Sequence, residues 1–367
     1  MSPHCFMRSI HRADLNFHHC FRNTHRGEVY NDYNYVDVYG GVKIDYSGRD
    51  VTPENFLKVL SGDNSTGKRV VDSTMEDEVF VFYSDHGSSN LICFPEEDLY
   101  SKDLIATLKR MHDNRQYKRM LLLIEACYSG SMFEDILPED IDVLALTAAN
   151  SKESSYGTFC EPKDDLDTCL ADEFSYGWMI AATDNDVRTF TVEDLYNTVK
   201  DQILSHAMMY GDKKIASLPL EQFISGENVQ NSRPAFRKSR EIKDSVKSTE
   251  AHIVSMRKRL SIASSGEEKR LAEIELERML HRKAVVQKTF DYLEERAAQY
   301  EVNNLLVPRT RDEAVDCFIE IHKSFRNHCF TIQKTPEVIE HLVKFDDMCT
   351  RGVDPKAIVR AIETVCA

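Results

Sequence analysis

Two residues that could carry out covalent chemistry follow two apolar runs of the sequence. His86 comes three residues after the run 79–83, and Cys127 comes three residues after the run 120–124. A cysteine thiolate attacks an amide carbonyl well once a neighbouring base lowers the pKa of its thiol. Taken singly, Cys127 has the alternative of a packed core cysteine, and His86 that of a hydrogen-bonded structural histidine. The chemical interpretation therefore depends on whether the fold brings the two side chains together.

The segments around these residues predict a strand, a helix and a second strand. A helix is expected from about Ser101 to Tyr117, and a crossover of this length joins parallel neighbours in a sheet covered on both faces. The carboxyl ends of both strands then lie at one edge of the sheet, so His86 and Cys127 should share a cavity there. Gly87 lets the backbone approach a ligand, and its N–H group and that of Cys127 could bind an oxyanion.

Hydrophobic periodicity and capping residues predict the other elements. In chain order these are a helix from Pro53 to about Leu60 with Thr52 as N-cap, a third strand at 142–149, an element at 174–180, a helix from Thr191 to Met209, two long amphipathic helices between Phe236 and Tyr300 broken at 264–266, and several short helices from Arg311 to Cys366. The polar stretch 225–234 is expected to separate two domains.

Composition narrows the possible classes of protein. With 367 residues, 42% of them apolar, the chain can form two folded domains. Residues 1–235 hold 22 basic and 39 acidic residues, a net charge of −17, whereas 236–367 hold 24 and 22, a net charge of +2. This distribution argues against nucleic-acid binding and favours docking of the second part on the first by charge. No apolar run has the length of a membrane segment, and residues 1–22 lack the apolar core of a secretory signal.

The cysteine spacing favours disulfides over a metal site. Six cysteines form two groups without C-x-x-C spacing, namely Cys160 and Cys169, and Cys317, Cys329, Cys349 and Cys366. Disulfides imply an oxidising compartment, and the alternative is a set of free buried thiols. If the chain is secreted, Asn64 heads a possible glycosylation sequence, a three-residue pattern that also occurs often by chance.

Several motifs resemble those of the legumain family of asparaginyl endopeptidases, which are also called vacuolar processing enzymes. The motifs are Asp50-Val-Thr-Pro-Glu-Asn-Phe56, Ser84-Asp-His-Gly-Ser88, Ile124-Glu-Ala-Cys-Tyr-Ser-Gly-Ser-Met132, Thr147-Ala-Ala-Asn150, Glu153-Ser-Ser-Tyr156 and Cys169-Leu-Ala-Asp172. They occur in the family's order, and the resemblance extends from about Asn23 to the C-terminal cysteines.

The resemblance implies an α/β fold with a caspase-like, mostly parallel sheet flanked by helices, followed by an all-α, death-domain-like pro-domain. It divides the chain into an unmatched segment (1–22), a caspase-like cysteine peptidase domain (23–227), a linker and helical activation region (228–300), and a disulfide-tied helical pro-domain (301–367). For the pro-domain it implies the pairs Cys317–Cys349 and Cys329–Cys366.

The resemblance also implies an activity. Cys127 would be the nucleophile and His86 the general base of an enzyme that cleaves after Asn, and more slowly after Asp, at acidic pH. Glu125, Ser154 and Asp172 would form the Asn-specificity pocket, in which carboxylates accept the amide NH₂ of Asn and repel an ionised Asp; lower pH relaxes that repulsion. For Glu125 the alternative is a capping or buried paired carboxylate. Peptide ligation is also expected, because an amine can capture the thioester.

The resemblance also implies which cofactors, cellular location and partners the enzyme would have. It would need no cofactor and no metal, and would act in a lysosome or vacuole or after secretion. Its partners would be proteins or peptides with Asn, its own pro-domain and cystatin-type inhibitors, with no nucleic acid and no membrane segment.

One departure from the family concerns the beginning of the chain. Family members start with a signal sequence and a central first strand, followed by an Asn that orients the histidine and by an Arg and a His of the specificity pocket, and residues 1–22 match none of these. A truncated product is therefore expected, and the alternative function is a catalytically impaired protein that only binds or regulates. The related transamidase subunit that attaches lipid anchors is less favoured, because the cysteine-bearing C-terminal region is long.

Self-inhibition is the last expectation from the sequence. The basic region 237–300 would lie over an acidic active-site face, and acid would weaken this docking by protonating carboxylates. Cleavage after an Asn of the linker would complete activation, with Asn228 and Asn231 as the candidates. The alternative is a helical tail that serves only for stability.

Overall fold

The computed structural model describes residues 28–161, 168–224 and 241–366. The expected unmatched segment 1–22 and the candidate cleavage residues Asn228 and Asn231 lie outside these ranges. The helices are α1 Pro53–Leu60, α2 Ser101–Asp113, α3 Glu173–Asp184, α4 Val192–Lys200, α5 Glu221–Ile224, α6 Ala251–Ile262, α7 Gly266–Asn303, α8 Arg311–His328, α9 Val343–Arg351 and α10 Pro355–Val365. Short 3₁₀ turns lie at Gly48–Asp50, Asn64–Thr66, Ser129–Met132, Lys213–Ser217 and Pro336–Val338.

Ten strands form three sheets in these ranges. The strands are β1 Glu78–Ser84, β2 Gly87–Ser88, β3 Leu91–Cys93, β4 Asp98–Tyr100, β5 Arg119–Glu125, β6 Val143–Thr147, β7 Tyr156–Thr158, β8 Ala171–Asp172, β9 Met208–Gly211 and β10 Val246–Lys247. The main sheet has the order β1-β5-β6-β9, and the two small antiparallel sheets have the orders β2-β3-β4 and β10-β7-β8. We call residues 28–224 the α/β part and residues 251–366 the helical part.

The main sheet confirms the predicted strand–helix–strand unit. β1 pairs in parallel with β5, and β5 pairs in parallel with β6, while β9 runs antiparallel at the edge. One face of β5 packs with α2 in an apolar cluster that includes Leu122 and Leu108. The other face packs with α3 and α4 through Leu121 and Leu195. Because both faces are covered, the strand is apolar at every position from Met120 to Ile124 rather than at alternate ones.

Local sequence signals explain where several elements begin. Thr52 Oγ1 accepts the N–H of Asn55 at 3.1 Å and Pro53 occupies the first helical position, as predicted for α1. Ser265 caps α7 by a reciprocal pair of hydrogen bonds with Glu268, and this cap explains the predicted break between the two long helices.

One predicted helix is wrong in its second half. The helix predicted from Thr191 to Met209 ends at Lys200, and Met208–Gly211 forms strand β9 instead. The backbone of β9 pairs with β6 and so completes the main sheet. The hydrophobic periodicity of these residues is compatible with either a helix or a strand, and the pairing with β6 determines that they form a strand.

The helical part is a bundle tied by two disulfides. Its apolar core combines Phe290 of α7 with Phe325 of α8 and Phe345 of α9, and disulfides join Cys317 to Cys349 and Cys329 to Cys366. A third disulfide joins Cys160 to Cys169 in the α/β part. All three pairs agree with the expected ones. Helix α7 continues through position 300, which the sequence suggested as a boundary.

Two observations concern the predicted glycosylation site and possible membrane segments. Asn64 is exposed at the start of its 3₁₀ turn, so its glycosylation stays a prediction that the geometry allows. Within the described ranges, no helix has both the length and the apolarity that crossing a bilayer requires.

Candidate active site

The ends of β1 and β5 place His86 and Cys127 at the same edge of the sheet. Ser84 lies opposite Glu125 in the parallel register, and the Asp85 N–H donates to the Glu125 carbonyl at 3.2 Å. His86 and Cys127 each follow the paired residue of their own strand by two positions. The structure thus brings the two predicted reactive residues to neighbouring strand ends.

The backbone around Cys127 makes a sharp turn against Gly87. A Cβ atom at position 87 would lie 2.8 Å from the Cys127 carbonyl oxygen and 2.9 Å from the Ala126 Cβ, so only glycine fits there. Tyr128 adopts the left-handed conformation at φ 56°, which costs a non-glycine residue about 1 kcal/mol. Its N–H donates to the Glu153 carbonyl at 2.7 Å. These contacts fix the position of the thiol at the strand end.

Two serine hydroxyls surround the Cys127 thiol. The Sγ atom lies 3.1 Å from Ser154 Oγ and 3.7 Å from Ser155 Oγ. Burial raises the pKa of the Cys127 thiol to about 11, and the two hydroxyls oppose this shift. The thiol is therefore protonated at neutral and acidic pH in this closed form. Ser154 was expected near the site, but the contact with Ser155 was not anticipated as part of it.

The site at which the sequence predicted a shared cavity is closed to solvent, because the helical part covers it. Cys127 is 1% exposed and His86 is 3% exposed. Cys127 belongs to one apolar cluster with Phe290 and Leu342 of the helical part. The Ser88 Oγ donates to the Ile339 carbonyl at 2.8 Å, two residues beyond His86. The structure is that of a closed site.

A group of polar contacts lies beside this apolar cluster. Arg311 pairs with Asp346 at 3.0 Å, and both side chains are mostly buried. Arg311 also donates to the Asn90 side-chain oxygen and to the Ser131 carbonyl at 3.3 Å. Asn90 in turn donates to Asp346 at 2.7 Å. The Arg311–Asp346 pair lies within the helical part, and this group meets the α/β part through the neutral groups of Asn90 and Ser131. Ion pairs between the two parts join Arg326 to Asp98 at 3.2 Å and Lys102 to Asp316 at 2.6 Å. The basic region 237–300 contributes strand β10 beside β7.

The two acidic residues of the expected pocket are buried near one another. Ser175 donates its N–H and its hydroxyl to Glu125 Oε2 at 3.0 and 3.1 Å, from the first turn of α3. Asp172 lies opposite Gly157 in the β7–β8 pair and lines a narrow cavity together with Ser84. Burial raises the pKa of both carboxyls, and the Asp172 charge raises that of Glu125 further.

Ser175 is a pocket contact that the sequence did not suggest. Its only signal is a hydroxyl residue in the first turn of a helix that follows Asp172. Such residues are common at helix starts, so the signal is weak.

The raised pKa values predict a pH-dependent stability. A carboxyl with a raised pKa binds its proton more tightly in the folded state, so stability is greatest below the ordinary pKa and falls as pH rises toward the folded value, which is about 7 for Asp172. We expect Glu125→Gln to flatten this fall between about pH 4 and 7, because it removes a buried carboxyl whose pKa is raised. Thermal unfolding of the full chain in a Cys127→Ala background measures it.

The control is Glu277→Gln, which removes an exposed carboxylate of α7. Its stability curve should run parallel to that of the background protein at every pH. Equal slopes for Glu125→Gln and the background would show that burial of Glu125 has no effect on the pH dependence.

Comparisons with known proteins agree along most of the chain. The model of the peptidase C13 family matches residues 10–232, and the model of the legumain prodomain matches residues 274–366. The hemoglobinase of Schistosoma japonicum is 35% identical over 95% of this chain and 82% of its own length. Human legumain is 36% identical (94% and 81%), and the vacuolar-processing enzyme delta-isozyme of Arabidopsis thaliana is 34% identical (94% and 79%). The chain therefore belongs to the peptidase C13 family of cysteine peptidases, and its helical part carries the legumain prodomain.

Proposed function

We propose that this chain is the latent form of an endopeptidase that cleaves after asparagine, with Cys127 as nucleophile and His86 as general base. The supporting observation is the placement of these residues at neighbouring strand ends, with Gly87 packed against the backbone of Cys127. His86 takes the thiol proton while sulfur attacks the scissile carbonyl. The C–N bond then breaks, the amine leaves with that proton, and a thioester remains for water to hydrolyse. An amine in place of water would give ligation.

The buried acidic pair supports selection of Asn. A carboxylate at Glu125 or Asp172 accepts the amide NH₂ of a substrate Asn and repels an ionised Asp. Since burial raises the pKa of both carboxyls, acid protonates them and also neutralises a substrate Asp. Asp cleavage should therefore be confined to low pH, whereas Asn cleavage should extend higher.

Strand β10 supports latency on the acyl side of the site. It pairs antiparallel with β7. The Ser248 N–H donates at 2.9 Å to the carbonyl of Ser155, whose hydroxyl contacts the Cys127 thiol. An extended substrate adding a strand to β7 would need the same backbone groups. The helical part and β10 would both have to leave before a substrate could bind.

Activation would then combine acid with cleavage of the connecting chain. Acid would weaken the charge contacts between the two parts, and cleavage after Asn228 or Asn231 would separate them. Exposure to water would lower the pKa of the Cys127 thiol by removing its desolvation. The acidic setting fits a lysosome, a vacuole or a secreted location, which the legumain and vacuolar-processing names of the relatives support.

A single experiment tests this function. The full chain is incubated at pH 4.5, new termini are mapped by mass spectrometry, and the product is assayed on reporters that end in Ala-Ala-Asn, Ala-Ala-Asp or Ala-Ala-Gln. We expect termini within 225–240, fast cleavage of the Asn reporter, acid-restricted cleavage of the Asp reporter and none of the Gln reporter. Cleavage of no reporter would favour the alternative of a protein that only binds or regulates.

A further inference from the structure

The turn between β3 and β4 presents oxygen atoms to an arginine of the helical part. Arg326 Nε lies 3.2 Å from the Asp98 Oδ2, and Arg326 Nη2 donates to the Glu96 carbonyl. The Asp98 side chain is only 1% exposed under this cover. Both partners of the arginine, a carboxylate and a carbonyl, are therefore hydrogen-bond acceptors.

A second donor of the helical part fills the rest of the same turn. Gln333 Nε2 donates to the Phe94 carbonyl at 3.1 Å, to the Glu97 carbonyl at 3.0 Å and to Asp98 Oδ1 at 2.8 Å. Together the two side chains engage a carboxylate and three carbonyls. We call this set, Phe94, Glu96, Glu97 and Asp98, the acceptor turn.

The acceptor turn lies next to the candidate active site. The Cys93 N–H donates to the His86 carbonyl at 2.9 Å, and the turn begins at the following residue. Asp172, on the pocket side, lies beside β7, where the acyl part of a substrate would pair. The turn belongs to the β2-β3-β4 sheet rather than to the sheet that contains β7, and on this ground we assign it to the leaving-group side of a bound substrate.

Departure of the helical part, which rests on the proposed function, would leave the acceptor turn without Arg326 and Gln333. A cluster of acceptors that includes one carboxylate binds a planar, multiply donating cation best, and a guanidinium has that geometry. The ammonium group of lysine is a weaker fit. The net charge of −17 on residues 1–235 acts in the same direction.

We propose that the acceptor turn is a specificity subsite that selects an arginine, and next a lysine, on the leaving-group side of the scissile bond. Arg326 occupies it in the latent form as a substrate arginine would in the open enzyme. The same oxygen atoms would thus bind the helical part in the latent form and select the substrate in the open form.

The test uses the acid-processed full chain and internally quenched peptides that share Ala-Ala-Asn. A single Arg, Lys, Gln or Glu is placed at each of the first four positions after the Asn. At one position we expect kcat/KM to be about five- to tenfold higher for the Arg peptide than for the Gln peptide, which is the gain expected from a charged hydrogen bond that is partly exposed to water. The Glu peptide should have a lower kcat/KM than the Gln peptide. High salt should reduce this preference.

Two variants locate the effect. Asp98→Asn should bring the ratio of kcat/KM for the Arg peptide to that for the Gln peptide close to one. Asp103→Asn, which removes an exposed carboxylate on the nearby helix α2, should keep the full preference. The substrate series on the unaltered chain gives an answer even if Asp98→Asn fails to fold.

The outcomes separate the two proposals. Equal cleavage of all Asn peptides would overturn the subsite and leave the proposed function intact. Cleavage of no Asn peptide at all would overturn the proposed function, and the subsite with it.

Discussion

Replacing Cys127 with alanine is expected to lower activity on an Ala-Ala-Asn reporter by at least about 1,000-fold, because no other atom can form the thioester. The structure places this thiol at the end of β5, beside Gly87 and within 3.1 Å of Ser154 Oγ. Reporter hydrolysis after incubation at pH 4.5 measures the loss. Mass spectrometry of the same sample should show the full chain uncut, because self-processing needs the same sulfur.

Cys93→Ala is the matched control for this substitution. Cys93 is the other free cysteine in the described ranges, is equally buried, and lies on β3 close to the site. We expect it to keep activity within a few-fold and to lose only a small amount of stability. Retained activity in Cys127→Ala, or a comparable loss in Cys93→Ala, would contradict the assignment of the nucleophile.

Replacing Phe290 with alanine is expected to destabilise the helical part by about 3–5 kcal/mol, the usual cost of removing a buried phenylalanine. Phe290 is fully buried, and its ring centroid lies 5.1 Å from those of Phe325 and Phe345 and 5.0 Å from that of His341. Because this core also contains Cys127 and Tyr128, its loss should weaken the cover of the site. Thermal unfolding at pH 7 measures the stability, and reporter hydrolysis after incubation across pH 4–7 measures the pH at which activity appears.

Val285→Ala on the same helix provides the comparison. Val285 is exposed, so its truncation should shift neither the unfolding temperature nor the activation pH by much. We expect Phe290→Ala to become active at a less acidic pH than Val285→Ala. A chain that loses stability but keeps the same activation pH would show that this core does not hold the site closed.

The sequence predicted the centre of the fold because its signals there are local and strong. Two fully apolar strands joined by an amphipathic helix allow few arrangements, and the parallel register follows from the crossover. This placed His86 and Cys127 at one sheet edge, as observed. Thr52 and Ser265 mark helix starts by side-chain chemistry that acts within three residues.

Contacts between distant segments were beyond the sequence. Strands β2, β3 and β4 are two or three residues long, which is too short for any periodicity to appear. Arg326 and Gln333 meet the acceptor turn across more than 200 residues, and nothing in either segment marks the other as its partner. The burial of Cys127 has the same origin, because the atoms that cover it come from the helical part.

If the connecting chain is cut as proposed, the placement of the disulfides determines whether the two parts stay covalently joined. Each of the three disulfides in the described ranges lies wholly within one part, so none ties the helical part to the α/β part. Before the cut, the tether keeps the cover at a high effective concentration over the site. After the cut, reassociation becomes bimolecular, and dilution alone shifts it toward the free enzyme. The released bundle would stay folded because its two disulfides remain intact. It would inhibit the enzyme as a separate molecule, to an extent set by its local concentration.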